Sequence, residues 1–292
     1  MSETKEKKEK KSGNSSTKVS RRKFLESTAT AAFVTTAAGY GAAQNSNTAG
    51  AGNQNRTQAT ALRGEMIEYK SGDINVPAYL SRNKKGTPKG AVLVIHEVFG
   101  LNDHIKSIAD RISAEGYLAL APNFFIRIAQ EPPKDDKDMA ALRKAASSIP
   151  PEVAIKDMQA GLDYMKTLSN RVPRMVSIGW CMGGGFSYQL ATHTKDLAGA
   201  VIFYGRTPLE LVPQVSCPLL GNFGELDQGI PPAKVKEFEE ALKKAGKQAD
   251  IKIYPGAKHG FFNDMRPEAY NAVAAADAWK RTLKFFRERM KG

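Results

Sequence analysis

Residues 175–185 read MVSIGWCMGGG, an apolar run of strand character that passes through Gly-Trp-Cys-Met-Gly into a glycine-rich turn. The residues that follow, 184–194, have a helical pattern. The centre of the run matches the G-x-S-x-G pattern of a sharp strand-to-helix turn, with Cys181 in the nucleophile position. Such a turn strains the backbone and leaves no room for flanking side chains, which Gly179 and Gly183 satisfy. It also puts Cys181 at a helix N-terminus, where unsatisfied N–H groups favour the thiolate.

Two other interpretations of this run remain open. Cysteine is often a small buried residue, and a glycine-rich turn between a strand and a helix can cradle a phosphate. The run lacks the Lys-Ser/Thr ending of a P-loop, however, and the turn after Ile95 carries no G-x-G-x-x-G. A cysteine nucleophile is therefore the favoured interpretation.

Outward from this run, apolar strand-like segments alternate with helical patterns. Residues 65–70 and 75–80 flank a Ser-Gly-Asp turn signal and predict an antiparallel hairpin. Further strands are predicted at 91–95, 117–120, 175–178, 200–203, 218–220 and 251–254, and helices at 104–114, 137–146, 152–168, 184–194, 232–245 and 268–289. Strands this apolar are buried on both faces, so the pattern predicts one α/β domain with a doubly wound, mostly parallel sheet and helices on both faces. Functional groups on such a sheet collect in the loops at the carboxyl ends of the strands.

Length, composition and charge exclude several classes of protein. The chain has 292 residues, 41% of them hydrophobic, enough to bury a substantial core. Its two cysteines cannot form a disulfide framework or a four-ligand zinc site. No stretch approaches the roughly 18 to 20 apolar residues of a membrane-spanning helix, so no stable membrane span is expected. The net charge of +13 could indicate nucleic-acid binding, but the basic clusters lack interleaved aromatic residues, so we expect no nucleic-acid partner.

The N-terminal segment resembles a twin-arginine export signal. A basic region with the sequence SRRKFL at residues 20–25 precedes a mildly apolar run at 29–38 and the small residues 41–43. The first 43 residues contain nine Lys and Arg against four Glu, and so carry +5 of the net charge of +13. We expect residues 1–43 to be recognised by the twin-arginine export machinery and the protein to be periplasmic. The alternative is a basic low-complexity tail that happens to contain two arginines. Residues 44–62 are rich in Asn, Gln, Thr, Ala and Gly and predict a flexible linker before a domain at 63–292.

Two later loops supply the partners that a nucleophile needs. The strand at 218–220 leads into a polar loop that ends at Asp227, and the strand at 251–254 leads through a turn to His259. The order nucleophile, acid, histidine is that of a catalytic triad on this type of sheet. His259 would take or hold the thiol proton, and Asp227 would fix its tautomer. Asp227 could instead cap its own loop, and Glu225 is the rival acid.

The loop after the first buried strand adds a carboxylate to the same edge of the sheet. Glu97 lies just beyond the strand at 91–95, at the rim where Cys181 should emerge. On this scaffold one N–H of an oxyanion hole comes from this loop, here from Val98, and the other from Met182 after the nucleophile. A carboxylate beside a thiolate repels it unless the carboxylate takes a proton or moves. The alternative is an ion pair between Glu97 and a nearby arginine.

With these motifs the chain resembles the dienelactone hydrolase (carboxymethylenebutenolidase) family of α/β-hydrolases. The resemblance covers about residues 65–290 and rests on HEVFG at 96–100, GYLALAP at 116–122, GWCMGG at 179–184, Asp227 and HGF at 259–261. It implies a triad of Cys181, Asp227 and His259. It also implies that Glu97 contacts the cysteine and helps to switch it between a resting and a reactive form. No metal and no organic cofactor is implied.

The implied reaction is hydrolysis of a small-molecule lactone or carboxylic ester through an acyl-thioester. We expect the protein to be a monomer. One position departs from the family: members of the chlorocatechol pathway hold the substrate carboxylate with arginines, one of them four residues after the histidine. Here that position is Asn263, with Arg266 three residues further on, while Arg127 and Arg143 lie in a segment without a clear match. Cys217 is expected to be a small buried residue. The alternatives are a broad-specificity esterase or peptidase of the same fold, and a non-catalytic periplasmic binding protein.

Overall fold

An eight-stranded, mostly parallel sheet runs through the computed structural model, which describes residues 63–83, 86–128, 137–168 and 174–291. The strand order is β1-β2-β4-β3-β5-β6-β7-β8, and only the β1–β2 and β2–β4 pairs are antiparallel. The strands are β1 (Glu65–Ser71), β2 (Ile74–Ser81), β3 (Ala91–Ile95), β4 (Leu118–Pro122), β5 (Met175–Trp180), β6 (Leu197–Phe203), β7 (Leu219–Gly224) and β8 (Ala249–Tyr254). The predicted fold class is confirmed, including the starting hairpin.

Six α-helices cover both faces of this sheet. They are α1 (Asp103–Ala114), α2 (Met139–Ser147), α3 (Pro151–Thr167), α4 (Met182–His193), α5 (Pro232–Lys244) and α6 (Ala272–Arg289), with short 3₁₀ helices at Phe124–Arg127 and Leu209–Gln214. Alternate residues of β3 point to opposite faces, so Leu93 joins one hydrophobic cluster and Val92 the other. The first cluster includes side chains of α2, α3, α4 and α5, and the second includes side chains of α1 and α6. The sheet is therefore buried on both sides, as its apolar strands predicted.

Three helix starts differ from the prediction by two residues or more. Helix α2 begins at Met139 rather than at 137, after its N-cap residue Asp138. The last helix begins at Ala272 rather than at 268, because the side chain of Asn271 accepts a hydrogen bond from the N–H of Ala274 and caps the helix there. Helix α4 begins at Met182 rather than at 184, directly after Cys181. Glycine carries no periodic signal, so the pattern could not show that Gly183 already belongs to the helix.

The proposed export signal at 1–43 and the linker at 44–62 lie outside the described residues. Within the described ranges, no helix is both long and apolar enough to cross a membrane. The same ranges contain no group of three or more His, Cys, Asp or Glu side chains arranged to hold a metal ion.

Candidate active site

Cys181 occupies a strained turn between β5 and α4. Its backbone has φ 54° and ψ −116°, a conformation that costs a non-glycine residue about 1 to 3 kcal/mol. Its N–H donates to the carbonyl of Phe203 on the neighbouring strand β6 at 3.0 Å. The following residue, Met182, opens α4, so the half-buried thiol lies at the N-terminus of that helix. The turn therefore places the cysteine just beyond the carboxyl end of β5, at the positive end of a helix dipole.

Two glycines let this turn form. A Cβ atom on Gly179 would run into the carbonyl of Gly183, within the turn itself. A Cβ atom on Gly183 would collide with the carbonyl of Ile95 and lie 2.6 Å from that of His96, at the end of β3. Helix α4 thus begins in direct contact with the backbone of the β3 loop. This contact brings the cysteine next to the loop that carries Glu97.

Asp227 and His259 meet although they lie on different loops. Asp227 follows β7 and His259 follows β8, and since these strands are parallel neighbours their loops are adjacent. The Oδ2 atom of Asp227 lies 2.7 Å from Nδ1 of His259. The Oδ1 atom accepts the backbone N–H groups of Gly229 and Ile230 at 2.8 and 3.0 Å, and the side chain is fully buried. A carboxylate with this many donors is fixed in place and holds the imidazole with Nδ1 protonated.

His259 also lies close enough to the Cys181 side chain for the two groups to interact electrostatically. Burial by itself lowers the pKa of His259, but the hydrogen bond to Asp227, the interaction with Cys181 and the charges of the same two groups outweigh it and raise the pKa to about 10. The imidazolium therefore persists at neutral pH beside the sulfur, where it can stabilise a thiolate. The His259 side chain is still 41% exposed, so the ring faces the open side of the site.

Glu97 is buried and is held by two uncharged groups. Only 2% of the residue is exposed. Its Oε2 atom accepts a hydrogen bond from Nδ2 of Asn263 at 2.6 Å, and its Oε1 atom accepts one from the Tyr204 hydroxyl at 3.4 Å. No lysine or arginine in the described parts of the chain forms an ion pair with Glu97. Within the described residues, the partners of Glu97 are therefore the uncharged groups of Tyr204 and Asn263 and not an arginine.

The backbone of the Glu97 loop is fixed by His96. Its Nδ1 atom lies 2.7 Å from the carbonyl oxygen of Glu97, and its Nε2 atom accepts the N–H of Phe124 at 3.2 Å. Complete burial lowers the pKa of His96 to about 4, against a smaller opposing effect of the Glu97 carbonyl, so the ring is neutral and Nδ1 is the donor. The neighbouring Val98 is buried. Of the two predicted oxyanion-hole N–H groups, that of Val98 thus lies in the loop that His96 holds in place, and that of Met182 lies in the first residue of α4.

Sequence reasoning missed Tyr204 as a site residue. It directly follows β6, is fully buried, and has φ 38°, which is rare for a residue with a large side chain. Its ring centroid lies 5.0 Å from that of His259, and its hydroxyl is close enough to Cys181 and Glu97 for their charges to raise its pKa further above the value that burial gives. No motif marked this position. The contact of Asn263 with Glu97 was missed as well, although Asn263 stood out as a departure from the family.

The remaining candidates lie outside this cluster. Arg127 forms an ion pair with the buried carboxylate of Asp157 at 2.6 Å, and Arg143 is exposed on α2. Glu225, the rival acid, accepts the N–H of Gly256 instead of the histidine. The guanidinium of Arg266 lies 4.8 Å from the centre of the Phe99 ring.

Comparison with known proteins shows the family to which this chain belongs. The model of the dienelactone hydrolase family matches residues 76–290, most of the chain. The chain belongs to the dienelactone hydrolase family. It is therefore a hydrolase of this family. The expectation drawn from the nucleophile turn and from the two loops at Asp227 and His259 is confirmed at the level of the family.

Relatives within the family cover most of the chain. A Saccharolobus solfataricus protein that carries the provisional name carboxymethylenebutenolidase is 37% identical over 260 residues, which cover 76% of this chain and 97% of the relative. An Escherichia coli K12 protein with the same provisional name is 33% identical over an alignment that covers 73% of this chain and 83% of the relative. A crystal structure from Klebsiella pneumoniae, provisionally described as a dienelactone hydrolase, has a TM-score of 0.73 and 29% identity, and covers 78% of this chain and 100% of that one.

Proposed function

We propose that this chain hydrolyses a small lactone or carboxylic ester through a covalent acyl-thioester on Cys181. The observation that carries the proposal is the 2.7 Å contact between Asp227 and His259, whose ring interacts with a cysteine held in a strained turn at a helix N-terminus. A strained backbone at a non-glycine residue persists only where the surrounding structure enforces it, and such residues cluster at active sites.

In the first half of the reaction, the Cys181 thiolate attacks the carbonyl carbon of the substrate, and the carbonyl π electrons move to oxygen. The backbone N–H groups of Val98 and Met182 would stabilise that oxyanion. When the oxyanion collapses, the bond to the alkoxide breaks, and the alkoxide takes the proton that His259 holds on its imidazolium. The products of this half are an alcohol and an acyl-thioester.

In the second half, neutral His259 accepts a proton from a water molecule as the water attacks the thioester carbonyl. Collapse of the second oxyanion breaks the carbon–sulfur bond and restores the thiolate and the imidazolium. Asp227 keeps Nδ1 protonated through both halves, so the second ring nitrogen is the one that exchanges protons. A lactone gives one hydroxy acid as product, because its alcohol and acyl parts are joined.

Uncharged substrates fit this site better than anionic ones. The buried carboxylate of Glu97 has only uncharged donors, and Asn263 fills the position where the family resemblance implied a cation for a substrate carboxylate. A second carboxylate would be brought against Glu97 in a partly dry site, where like charges repel more strongly than in water. We therefore propose neutral lactones and short esters as the substrate class.

The test is to trap the acyl-enzyme. The full chain is mixed with p-nitrophenyl acetate at low pH and low temperature and analysed by mass spectrometry within the first turnovers. We expect a burst of p-nitrophenol equal to the enzyme concentration and one added acetyl group on the peptide that contains Cys181. A matched ester with a carboxylate on its acyl group, p-nitrophenyl hemisuccinate, should be hydrolysed more slowly.

Three outcomes would count against this proposal. If the protein hydrolyses neither of the two esters nor a lactone, the alternative of a non-catalytic binding protein is favoured. If the acetyl group is found on another residue, the assignment of the nucleophile is wrong. If amide substrates are cleaved as fast as esters, the reaction is that of a peptidase.

We also propose that the protein is exported through the twin-arginine pathway, on the basis of the sequence at residues 20–43. Replacing Arg21 and Arg22 together by lysine keeps the charge but removes the guanidinium pair. Expressed in a bacterium with a working twin-arginine system, the double variant should remain in the cytoplasm at full length, whereas the parent chain should accumulate in the periplasm in a shortened form. Equal periplasmic amounts of both chains would contradict the export signal.

A further inference from the structure

We propose that Tyr204 and Asn263 are positioning residues that clamp the Glu97 carboxylate beside Cys181. The inference rests on the proposed function, because it assigns to these two side chains a role in keeping the proposed nucleophile reactive. Tyr204 and Asn263 come from different loops, one after β6 and one after β8, and reach the two oxygens of one carboxylate.

The hydrogen bonds at the clamp form a connected series. The Tyr204 hydroxyl donates to one oxygen of Glu97, and Nδ2 of Asn263 donates to the other. Burial, followed by the charges of Glu97 and Cys181, raises the pKa of Tyr204 well above its ordinary value, so the hydroxyl always carries its proton. That proton is donated to the Glu97 carboxylate, which is the acceptor in reach of the hydroxyl.

The backbone around Tyr204 shows why this side chain is confined to the site. Its N–H donates to the carbonyl of Asn222 on β7 at 2.8 Å, which holds the residue at the end of the sheet. A Cβ atom on the next residue, Gly205, would run into the backbone of Gly184 at the start of α4. The chain must therefore turn sharply away from the nucleophile helix, and Tyr204 takes positive φ as it does so. The turn brings the ring against His259 and the hydroxyl against Glu97.

The clamp has a consequence for Cys181. A buried carboxylate oxygen without a donor is costly, and it will take another proton donor within reach. A Cβ atom on Gly183, two residues after Cys181, would lie 2.6 Å from the carbonyl oxygen of His96, the residue before Glu97, so the donor that the site offers is the Cys181 thiol. With both oxygens of Glu97 satisfied by Tyr204 and Asn263, the thiol proton is left to His259. Without the clamp, Glu97 would hold the sulfur as an unreactive thiol.

The experiment is a double-mutant cycle with two readouts on the full chain. Tyr204→Phe removes one donor and keeps the ring, and Asn263→Leu removes the other at similar volume. Each is made alone and together with Glu97→Gln. We measure kcat and KM for p-nitrophenyl acetate, and the rate of alkylation of the Cys181 peptide by iodoacetamide, which requires no substrate.

Each single variant should lower kcat and the alkylation rate by about tenfold, the factor expected for one lost hydrogen bond to a charged group, and change KM less than about threefold. In the Glu97→Gln background neither variant should lower the alkylation rate further by more than about twofold. The control is Tyr188→Phe, since Tyr188 is a fully buried tyrosine on α4 whose hydroxyl donates to the Pro208 carbonyl at 3.0 Å. It should change the melting temperature but not the alkylation rate.

The clamp is overturned if both variants alkylate at the parental rate, or if each loses the same factor with and without Glu97. If Tyr204→Phe does not fold, Asn263→Leu alone tests the proposal, because it removes the donor to the other oxygen of the Glu97 carboxylate. Failure of the proposed function gives a different result. Ester hydrolysis would then survive in Cys181→Ala, whereas the alkylation rates at Cys181 in the other variants would still measure whether Tyr204 and Asn263 affect the reactivity of the thiol.

Discussion

Cys181→Ala is expected to lower kcat for p-nitrophenyl acetate by about 10⁴-fold or more. The substitution removes the sulfur that would form the acyl-thioester, while the strained turn, His259 and Asp227 stay in place. A residual rate above that of water is expected, because the oxyanion-hole N–H groups and the bound geometry remain. The measurement is steady-state hydrolysis at enzyme concentrations high enough to detect this residual rate. Mass spectrometry of the same reaction should find no acyl-enzyme.

The control for this prediction is Cys217→Ala. Cys217 is buried, and burial raises the pKa of its thiol to about 12, so it cannot supply a thiolate near neutral pH. The variant should keep the parental kcat and be alkylated at the same rate at Cys181. Undiminished hydrolysis by Cys181→Ala would rule out the cysteine mechanism, and a large loss in Cys217→Ala would show that the assay reports stability rather than chemistry.

Asp227→Asn should lower kcat/KM by about 10³- to 10⁴-fold. An amide at this position can donate to the ring nitrogen that Asp227 now accepts from, so it favours the wrong tautomer of His259. It also removes a negative charge that helps to keep the histidine protonated. Since Asp227 and Cys181 together raise the pKa of His259 to about 10, loss of the carboxylate moves that pKa down toward the ordinary value for histidine.

The pH dependence of alkylation measures this shift. In the parent protein the imidazolium should persist beside the sulfur until the pH approaches about 10. In Asp227→Asn the imidazolium is lost at lower pH, so the ratio of parental to variant alkylation rates should be largest between neutral pH and pH 9. It should then shrink above pH 10, where the parental histidine also loses its proton. A ratio that does not change with pH would show that Asp227 only holds the loop.

Glu225→Gln is the matched control for Asp227. Glu225 lies two residues earlier on the same loop, and its Oε2 atom accepts the N–H of Gly256 at 2.8 Å, so its loss should affect the loop but not the histidine. We expect this variant to keep the parental kcat/KM within about threefold and the parental pH dependence of alkylation. If Glu225→Gln loses as much activity as Asp227→Asn, the acid has been assigned to the wrong residue.

The elements of the fold could be predicted from the sequence because their signals are local. The apolar runs of β3 and β5 show strands buried on both faces, and the Ser-Gly-Asp turn shows the first hairpin. Helix starts were less certain: α6 begins four residues after the predicted start, where Asn271 caps it, and glycines hide the start of α4. Capping depends on one side chain reaching one N–H, which a periodic pattern does not contain.

The residues of the candidate triad could also be predicted from the sequence. Once the strand order is that of a doubly wound sheet, the loops after β5, β7 and β8 must open at the same edge, and each contains at least one residue of suitable chemistry. Chain order alone did not separate Asp227 from Glu225. The structure separates them, because only Asp227 points its carboxylate at His259, while Glu225 binds the backbone of the adjacent turn.

The sequence by itself determined the fold class, the family and the residues that carry reactive groups, since these depend on periodicity and on short motifs. The tertiary structure decided what surrounds Glu97. The carboxylate meets Tyr204 at a separation of 107 residues and Asn263 at a separation of 166, and no local pattern records contacts over such distances. They exist because β3, β6 and β8 end at one edge of the sheet, where a strained turn at Tyr204 places a phenol that no motif had marked.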